Sequence, residues 1–278
     1  MTVLFGCDFS SAPSARKPIV VALGSVRDRR VVLSRLLRFP TLDEWAAWMR
    51  ATPAWIGGFD FPFGLPRELV VQLGWPLTWK ALMTHYASLS RAEIRGEFAT
   101  FCNARPVGGK FAHRATDIPA GSSTSMKWVN PPVAFMLHAG VPRLLEVEAA
   151  LPGLHEPADA TRIALEAYPG LLARELIGRR SYKADNAARQ NAERWLARAD
   201  LVSLLELGKT RLGLRLSLTH AQRDTLLADA QGDLLDAVLC LVQAAWATLQ
   251  REEPGVDGKR NYGLPLDVDS LEGWILTS

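Results

Sequence analysis

The chain alternates short apolar runs with amphipathic stretches, and each period can be read separately. Residues 2–7 are apolar and lead into Asp8, the pattern of a buried strand. A loop rich in Ser, Ala and Pro follows at 9–16. A second β-rich run lies at 18–23, turn residues at 24–29 and a third run at 30–37. Three runs joined this tightly predict an antiparallel meander. Thr41 and Glu44 form a capping-box pattern, and Trp45, Trp48 and Met49 share one face of the helix they open. Residues 54–59 give another buried strand, ending at Asp60. A helix between two buried strands predicts a crossover, which sets Asp8 and Asp60 side by side at neighbouring carboxyl ends. Open α/β sheets bind ligands at that edge.

From 62 to about 157 the pattern changes. Helical stretches at 78–89, 91–99 and 133–138 are separated by Gly108-Gly109-Lys110, by Pro119-Ala120-Gly121-Ser122-Ser123 and by Asn130-Pro131-Pro132. This span reads as an insertion packed over the active edge, so residues 1–278 are expected to form one domain carrying it. Strand character resumes at 161–167 around Glu166, and Tyr168-Pro169-Gly170 turns into a helix at 171–176. A charged amphipathic helix is predicted over 184–206. Thr219 and Gln222 give a second capping box, and Gly232 breaks the chain before a strongly apolar helix from Asp233 to about Gln250. A polar linker at 251–261 and a short apolar segment at 271–276 close the chain.

Composition narrows the class. The chain has 278 residues, 48% hydrophobic and 22% charged, ordinary values for a globular protein. A net charge of +3 and a pI near 8.9 permit a nucleic-acid partner without demanding one. Cys7, Cys102 and Cys240 lie far apart, which suits buried thiols rather than a zinc site or a disulfide framework. No apolar run has the length of a membrane span and no signal peptide is visible, so a cytoplasmic protein is expected. Phosphate-loop and nucleophile-elbow motifs are absent. Trp45, Trp48, Trp195 and Trp246 fall at helix core spacings, which reads as packing rather than base stacking.

Five acids carry the candidate chemistry: Asp8, Asp60, Glu166, Asp233 and Asp236. Each has a plain alternative. Asp8 could cap its loop and Asp60 could form an Asx-type turn before Pro62. Glu166 could pair with Arg162 or Arg174. Asp233 follows Gly232 and could cap the last helix, and Asp236 could complement its dipole. As a set they read differently. Asp233 and Asp236 share a helix face beside the stripe of Leu234, Val238, Leu241 and Ala245, so packing that stripe on the sheet carries both acids to its edge. Clustered carboxylates need a divalent cation, and hard cations take oxygen ligands. Two Mg²⁺ or Mn²⁺ ions roughly 4 Å apart could activate water and stabilise a leaving oxygen in phosphodiester cleavage. Lys183, then Arg114 and Lys127, are the first candidates to meet the phosphate, with Lys110 and His113 behind them.

The segments Gly6-Cys7-Asp8, Gly58-Phe59-Asp60-Phe61-Pro62, Leu165-Glu166-Ala167-Tyr168-Pro169 and Asp233-Leu234-Leu235-Asp236-Ala237 resemble the domain of unknown function 429 family, a branch of the ribonuclease-H-like superfamily predicted to be nucleases. Lys127-Trp128-Val129-Asn130-Pro131-Pro132 and Leu271-Glu272-Gly273-Trp274-Ile275 extend the resemblance over almost the whole chain. It implies an α/β fold with a ribonuclease-H-like mixed sheet, three antiparallel strands then parallel ones, flanked by helices. The late Asp-x-x-Asp-Ala is similar to the last-helix motif of bacterial Holliday-junction resolvases. That likeness makes Asp8, Asp60, Glu166, Asp233 and Asp236 the metal ligands, with Asp8, Asp60, Glu166 and Asp236 catalytic. The mostly helical insertion after the fourth strand departs from a minimal ribonuclease H.

The leading reading is therefore a metal-dependent nuclease acting on DNA or RNA, with Asp8 bridging the ions and Glu166 or Asp236 orienting the water. Two alternatives stand beside it: an ATP-dependent phosphotransferase of the actin-like type, and a non-catalytic nucleic-acid-binding module. Phe9-Ser10-Ser11 after the first strand lacks the glycine of a phosphate-binding turn, which weighs against the phosphotransferase.

Overall fold

In a computed structural model of the chain, which describes residues 2–251 and 262–278, the first three strands form the meander that their spacing requires. Strand β1 (Val3–Asp8) pairs antiparallel with β2 (Ile19–Arg27), and β2 with β3 (Arg30–Phe39). The predicted turn at 24–29 shrinks to Asp28 and Arg29, both at positive φ, the two-residue hairpin turn that matches strand twist. Gly24 lies inside β2, where the pairing register shifts.

Helix α1 (Leu42–Ala51) begins at Thr41, whose side chain accepts from the Glu44 amide at 3.2 Å. It returns the chain to β4 (Trp55–Phe59), which pairs parallel with β1. Helices α2 (Arg67–Gln72), α3 (Trp79–Ser88), α4 (Arg91–Asn103), α5 (Asp117–Ala120) and α6 (Val133–Glu146) follow before β5 (Arg162–Glu166) pairs parallel with β4. Four of these depart from the sequence reading: α2 was not expected there, and α4 runs four residues beyond its predicted end at 99. Asp117–Ala120 is a short helix where an irregular loop was expected, and α6 runs eight residues beyond the predicted end at 138.

The chain then forms α7 (Pro169–Ile177), α8 (Ala192–Glu206), β6 (Arg215–Ser217), α9 (His220–Ala228) and α10 (Asp233–Gln250). Helix α8 starts later than predicted because Asn191 takes its N-cap, accepting from the Arg194 amide. The Thr219–Gln222 capping box forms in both directions. Strand β6, which three residues are too few to announce, joins β3 in parallel. The sheet has six strands in the order β5-β4-β1-β2-β3-β6. The predicted linker at 251–261 lies outside the described residues apart from Arg251. The apolar segment at 271–276 is irregular and buries Leu271, Ile275 and Leu276.

Alternation along the strands divides the core into two layers. Phe5, Cys7, Phe59 and Ala164 face α1 and the helices of residues 62–157. Leu4, Val20, Ile56 and Leu165 face α7, α8 and α10. Those helices therefore build one wall of the core. Trp45 is fully buried, and Trp48 and Trp246 pack against the two layers, but Trp195 points outward, 46% exposed. Among the described residues no helix is long and apolar enough to cross a membrane.

The second layer has almost no space between α10 and the sheet. A Cβ built on Gly6 would stand 2.0 Å from the Leu241 nitrogen and 2.2 Å from the Ala237 oxygen. One built on Gly58, the registered partner of Gly6 on β4, would stand 2.6 Å from the Cys240 oxygen. Backbone rather than side chain is in the way at both, so neither clash can relax by a rotamer change. Gly6→Ala is expected to lower unfolding stability by about 3 kcal/mol or more. Gly96→Ala, in α4 with open space around it, should be neutral or stabilising by about 0.5–1 kcal/mol. Urea denaturation of the two variants checks the contrast.

Candidate metal centre

The same alternation that buries Gly6 under α10 aims Asp8, two residues on, at the same face, and Gly58 stands in the same relation to Asp60. Asp60 lies one residue past β4, its N–H donating to the Cys7 carbonyl at 2.9 Å. From the facing side α10 supplies Asp233 and Asp236 in its first turn. Gly232, at φ +80°, makes that sharp entry, and the Leu234 amide is capped by Asp229 at 2.8 Å, so Asp233 does not serve as the cap. The four aspartates thus meet between the carboxyl edge of the sheet and the start of α10, close enough that Asp236, Asp233 and Asp60 all act on the Asp8 charge.

Two of the four are neutralised. Asp236 is fully buried and accepts from the Tyr182 hydroxyl and from Lys183 Nζ. Asp233 accepts from Lys17 Nζ at 2.9 Å, and Lys17 also reaches Asp185 at 2.6 Å. Burial alone would pull the Lys183 ammonium down, but Asp236, Tyr182 and Asp8 outweigh it and hold the group well above the usual lysine range. Lys17 is raised in the same way by Asp185 and Asp233. Asp8 and Asp60 differ from their neighbours. Half-buried, neither accepts a hydrogen bond nor forms an ion pair among the described residues. Burial and then Asp236 push the Asp8 carboxyl well above the carboxylate range, and the same two causes bring Asp60 to about 7.

Glu166 stands apart. In the register of β4 and β5 it pairs with Phe59 rather than with Asp60, so it points to the opposite face of the sheet. There Arg114, 2% exposed, grips both its oxygens at 2.7 and 2.8 Å, and the Phe63 amide adds a third bond at 3.0 Å. The expected arginine partners of Glu166 are occupied elsewhere: Arg162 and Arg174 each donate to three backbone carbonyls. Arg114 also holds Asp117 and the Glu272 carbonyl, and so is not free for a phosphate. Lys110, His113 and Lys127 make no side-chain hydrogen bond or ion pair with the acidic group.

Sequence reasoning missed four contributors. Lys17 follows an unremarkable loop and reaches Asp233 across 216 positions. Tyr182 was visible only as the neighbour of Lys183. Arg174 and Arg179 line a cavity of about 440 Å³ together with Asp60, Lys183, Tyr168 and part of α7.

The donors are all carboxylate oxygens, which suit a hard divalent cation. Among the described residues no three His, Cys, Asp or Glu side chains stand close enough together to hold a metal ion between them. The pair Asp8–Asp60 is the available part of the cluster, and a Mg²⁺-type shell needs only one or two carboxylates, with water filling the rest. Asp236, with both oxygens engaged, could join it only by releasing Tyr182 or Lys183, whereas Asp233 meets Lys17 through Oδ1 alone.

A family model described as "Protein of unknown function (DUF429)" matches residues 6–255. No curated protein and no solved structure matches the chain.

The raised Asp60 carboxyl sets a pH dependence. Its folded pKa lies above the unfolded value of roughly 4, so between there and about 7 the folded protein binds the proton more tightly. The metal-free protein therefore loses stability as pH rises through that window, and no more from this group above it. Asp60→Asn removes the titration. In EDTA the variant should equal wild type near pH 4 and exceed it by about 1–2 kcal/mol at pH 8, after discounting for solvent screening. Urea denaturation at the two pH values measures the difference.

Proposed function

We propose that this chain, which belongs to the DUF429 family, is a ribonuclease-H-like nuclease that hydrolyses phosphodiester bonds of DNA or RNA with Mg²⁺ or Mn²⁺ held at the Asp8–Asp60 edge. The observation that carries this reading is the pair itself. Two unpartnered aspartates lie at the ends of adjacent parallel strands, their charges opposed by burial and then by Asp236. A fold keeps such a pair when a cation completes it, because otherwise one of the two protonates. The antiparallel β1-β2-β3 meander with β4 and β5 parallel to β1 supports the superfamily reading.

Asp8 and Asp60 would hold the ion, which when bound supplies Lewis-acid polarisation of the phosphate and a lowered water pKa. Tyr182 fixes one Asp236 oxygen and Lys183 the other, so Asp236 is a positioned acceptor beside the pair. Lys183 belongs both to the acidic cluster and to the lining of the cavity, so its ammonium can exchange Asp236 for a phosphate oxygen. Glu166 acts here as a brace: with Arg114 it ties the end of β5 to the 114–117 segment and to the C-terminal segment through Glu272.

Incubation with Mn²⁺ and a panel of single- and double-stranded DNA and RNA tests the reading. Wild type is expected to cleave at least one of them. Asp8→Asn should lower the rate by more than about 100-fold with its melting temperature retained. Full activity in Asp8→Asn would remove the assigned role.

A further inference from the structure

The cavity beside the acidic edge differs from the rest of that edge in charge. Asp60, Lys183, Arg174, Arg179 and Arg180 line it. Arg180 is paired with Asp200 at 2.7 Å. Arg179 is exposed and has no hydrogen bond or ion pair among the described residues. Arg174 is fixed by the carbonyls of Gly170, Gly121 and Ala120 at 3.2, 2.8 and 2.9 Å. Carbonyls orient a guanidinium without neutralising it, and three bonds leave two of its five N–H groups unused. The site therefore offers one pre-oriented cation and one free cation a short way along α7 from the acids.

Tyr168 adds an aromatic surface. It lines the cavity half-buried, with the Arg174 guanidinium 5.6 Å from its ring centroid. The ring keeps its place because Gly170 has no side chain: a Cβ there would lie 2.7 Å from the ring. An aromatic ring beside an arginine plane is a platform on which an unpaired base stacks. The volume, about 440 Å³, is that of a small-molecule pocket. It admits a nucleotide whose base is splayed out, and not a duplex whose bases remain paired.

We propose that this cavity seats the nucleotide next to the scissile phosphate of a single-stranded nucleic acid, with phosphates on Arg174 and Arg179 and a base on Tyr168. The inference deepens the nuclease reading and rests on it for the word scissile. The binding site itself stands on the cavity, the arginines and the ring.

Fluorescence anisotropy with a labelled single-stranded oligonucleotide and its duplex, in Ca²⁺ and in EDTA, tests it. Wild type should bind the single strand more tightly than the duplex. Arg179→Ala should weaken single-strand binding and lower the slope of log affinity against log salt by about 1. Tyr168→Leu should weaken it about 5-fold or more, while Tyr168→Phe, which keeps the ring, should bind like wild type. Tighter binding of the duplex, or wild-type binding by both Arg179→Ala and Tyr168→Leu, would overturn the proposal. If Tyr168→Leu does not fold, Arg179→Ala alone decides, because its side chain supports nothing else. Single-strand binding in EDTA that Arg179→Ala weakens upholds the cavity even where no cleavage is found, a result that would count against the nuclease reading only.

Discussion

The approach of α10 to the sheet is the constraint on which the rest of the structure depends. Its backbone rests on the backbone of β1 and β4, and two glycines in register, Gly6 and Gly58, make the contact sterically possible. Each glycine is followed two residues later by an aspartate on the same face. The spacing that admits the helix therefore also aims Asp8 and Asp60 at its N-terminal end, where Asp233 and Asp236 come down from the other side. A helix held one side-chain radius further away would leave the four acids apart. Core packing and the candidate chemistry are here one geometric fact.

Gathering acids this tightly sets a charge problem that the chain solves only in part. Lys17 meets Asp233, Lys183 meets Asp236, and on the far face Arg114 meets Glu166. Each cation comes from a segment remote in sequence from its acid. Asp8 and Asp60 are left without a partner, and burial and the charge of Asp236 raise their carboxyls. Beyond them the charge changes sign, in the cavity bearing Arg174 and Arg179. An unpaired acid floor opening into a cationic cleft is an arrangement complementary to a cation and a polyanion together.

Much of this was legible in the chain. The strand periods placed Asp8 and Asp60 at neighbouring ends, but the stripe of Leu234, Val238, Leu241 and Ala245 singled out no face of α10, which is buried all round from Asp233 to Ala245 and meets the sheet glycines through Ala237, Cys240, Leu241 and Ala244. What could not be read was anything settled by pairing register or by long-range contact. Glu166 is one residue out of phase with Asp60, and that single step sends it through the sheet to Arg114. No local pattern states such a register. Lys17, Arg174 and Arg179 have surface-like neighbours, and their importance arises only when loops far apart in sequence are folded together. Strand β6 has three residues, fewer than a period-two pattern needs to show itself. Trp195 kept helical spacing yet turned outward, because α8 buries the stripe of Ala197, Leu201, Val202 and Leu205 and Trp195 lies off it.

The central claim is that Asp8 and Asp60 are incomplete without a divalent cation. Isothermal calorimetry of Mn²⁺ binding to wild type and to the Asp8→Asn, Asp60→Asn double variant tests it most directly. The account predicts stoichiometric binding by wild type, abolished in the double variant. Binding that persists unchanged when both carboxylates are gone would place the cation elsewhere and contradict it.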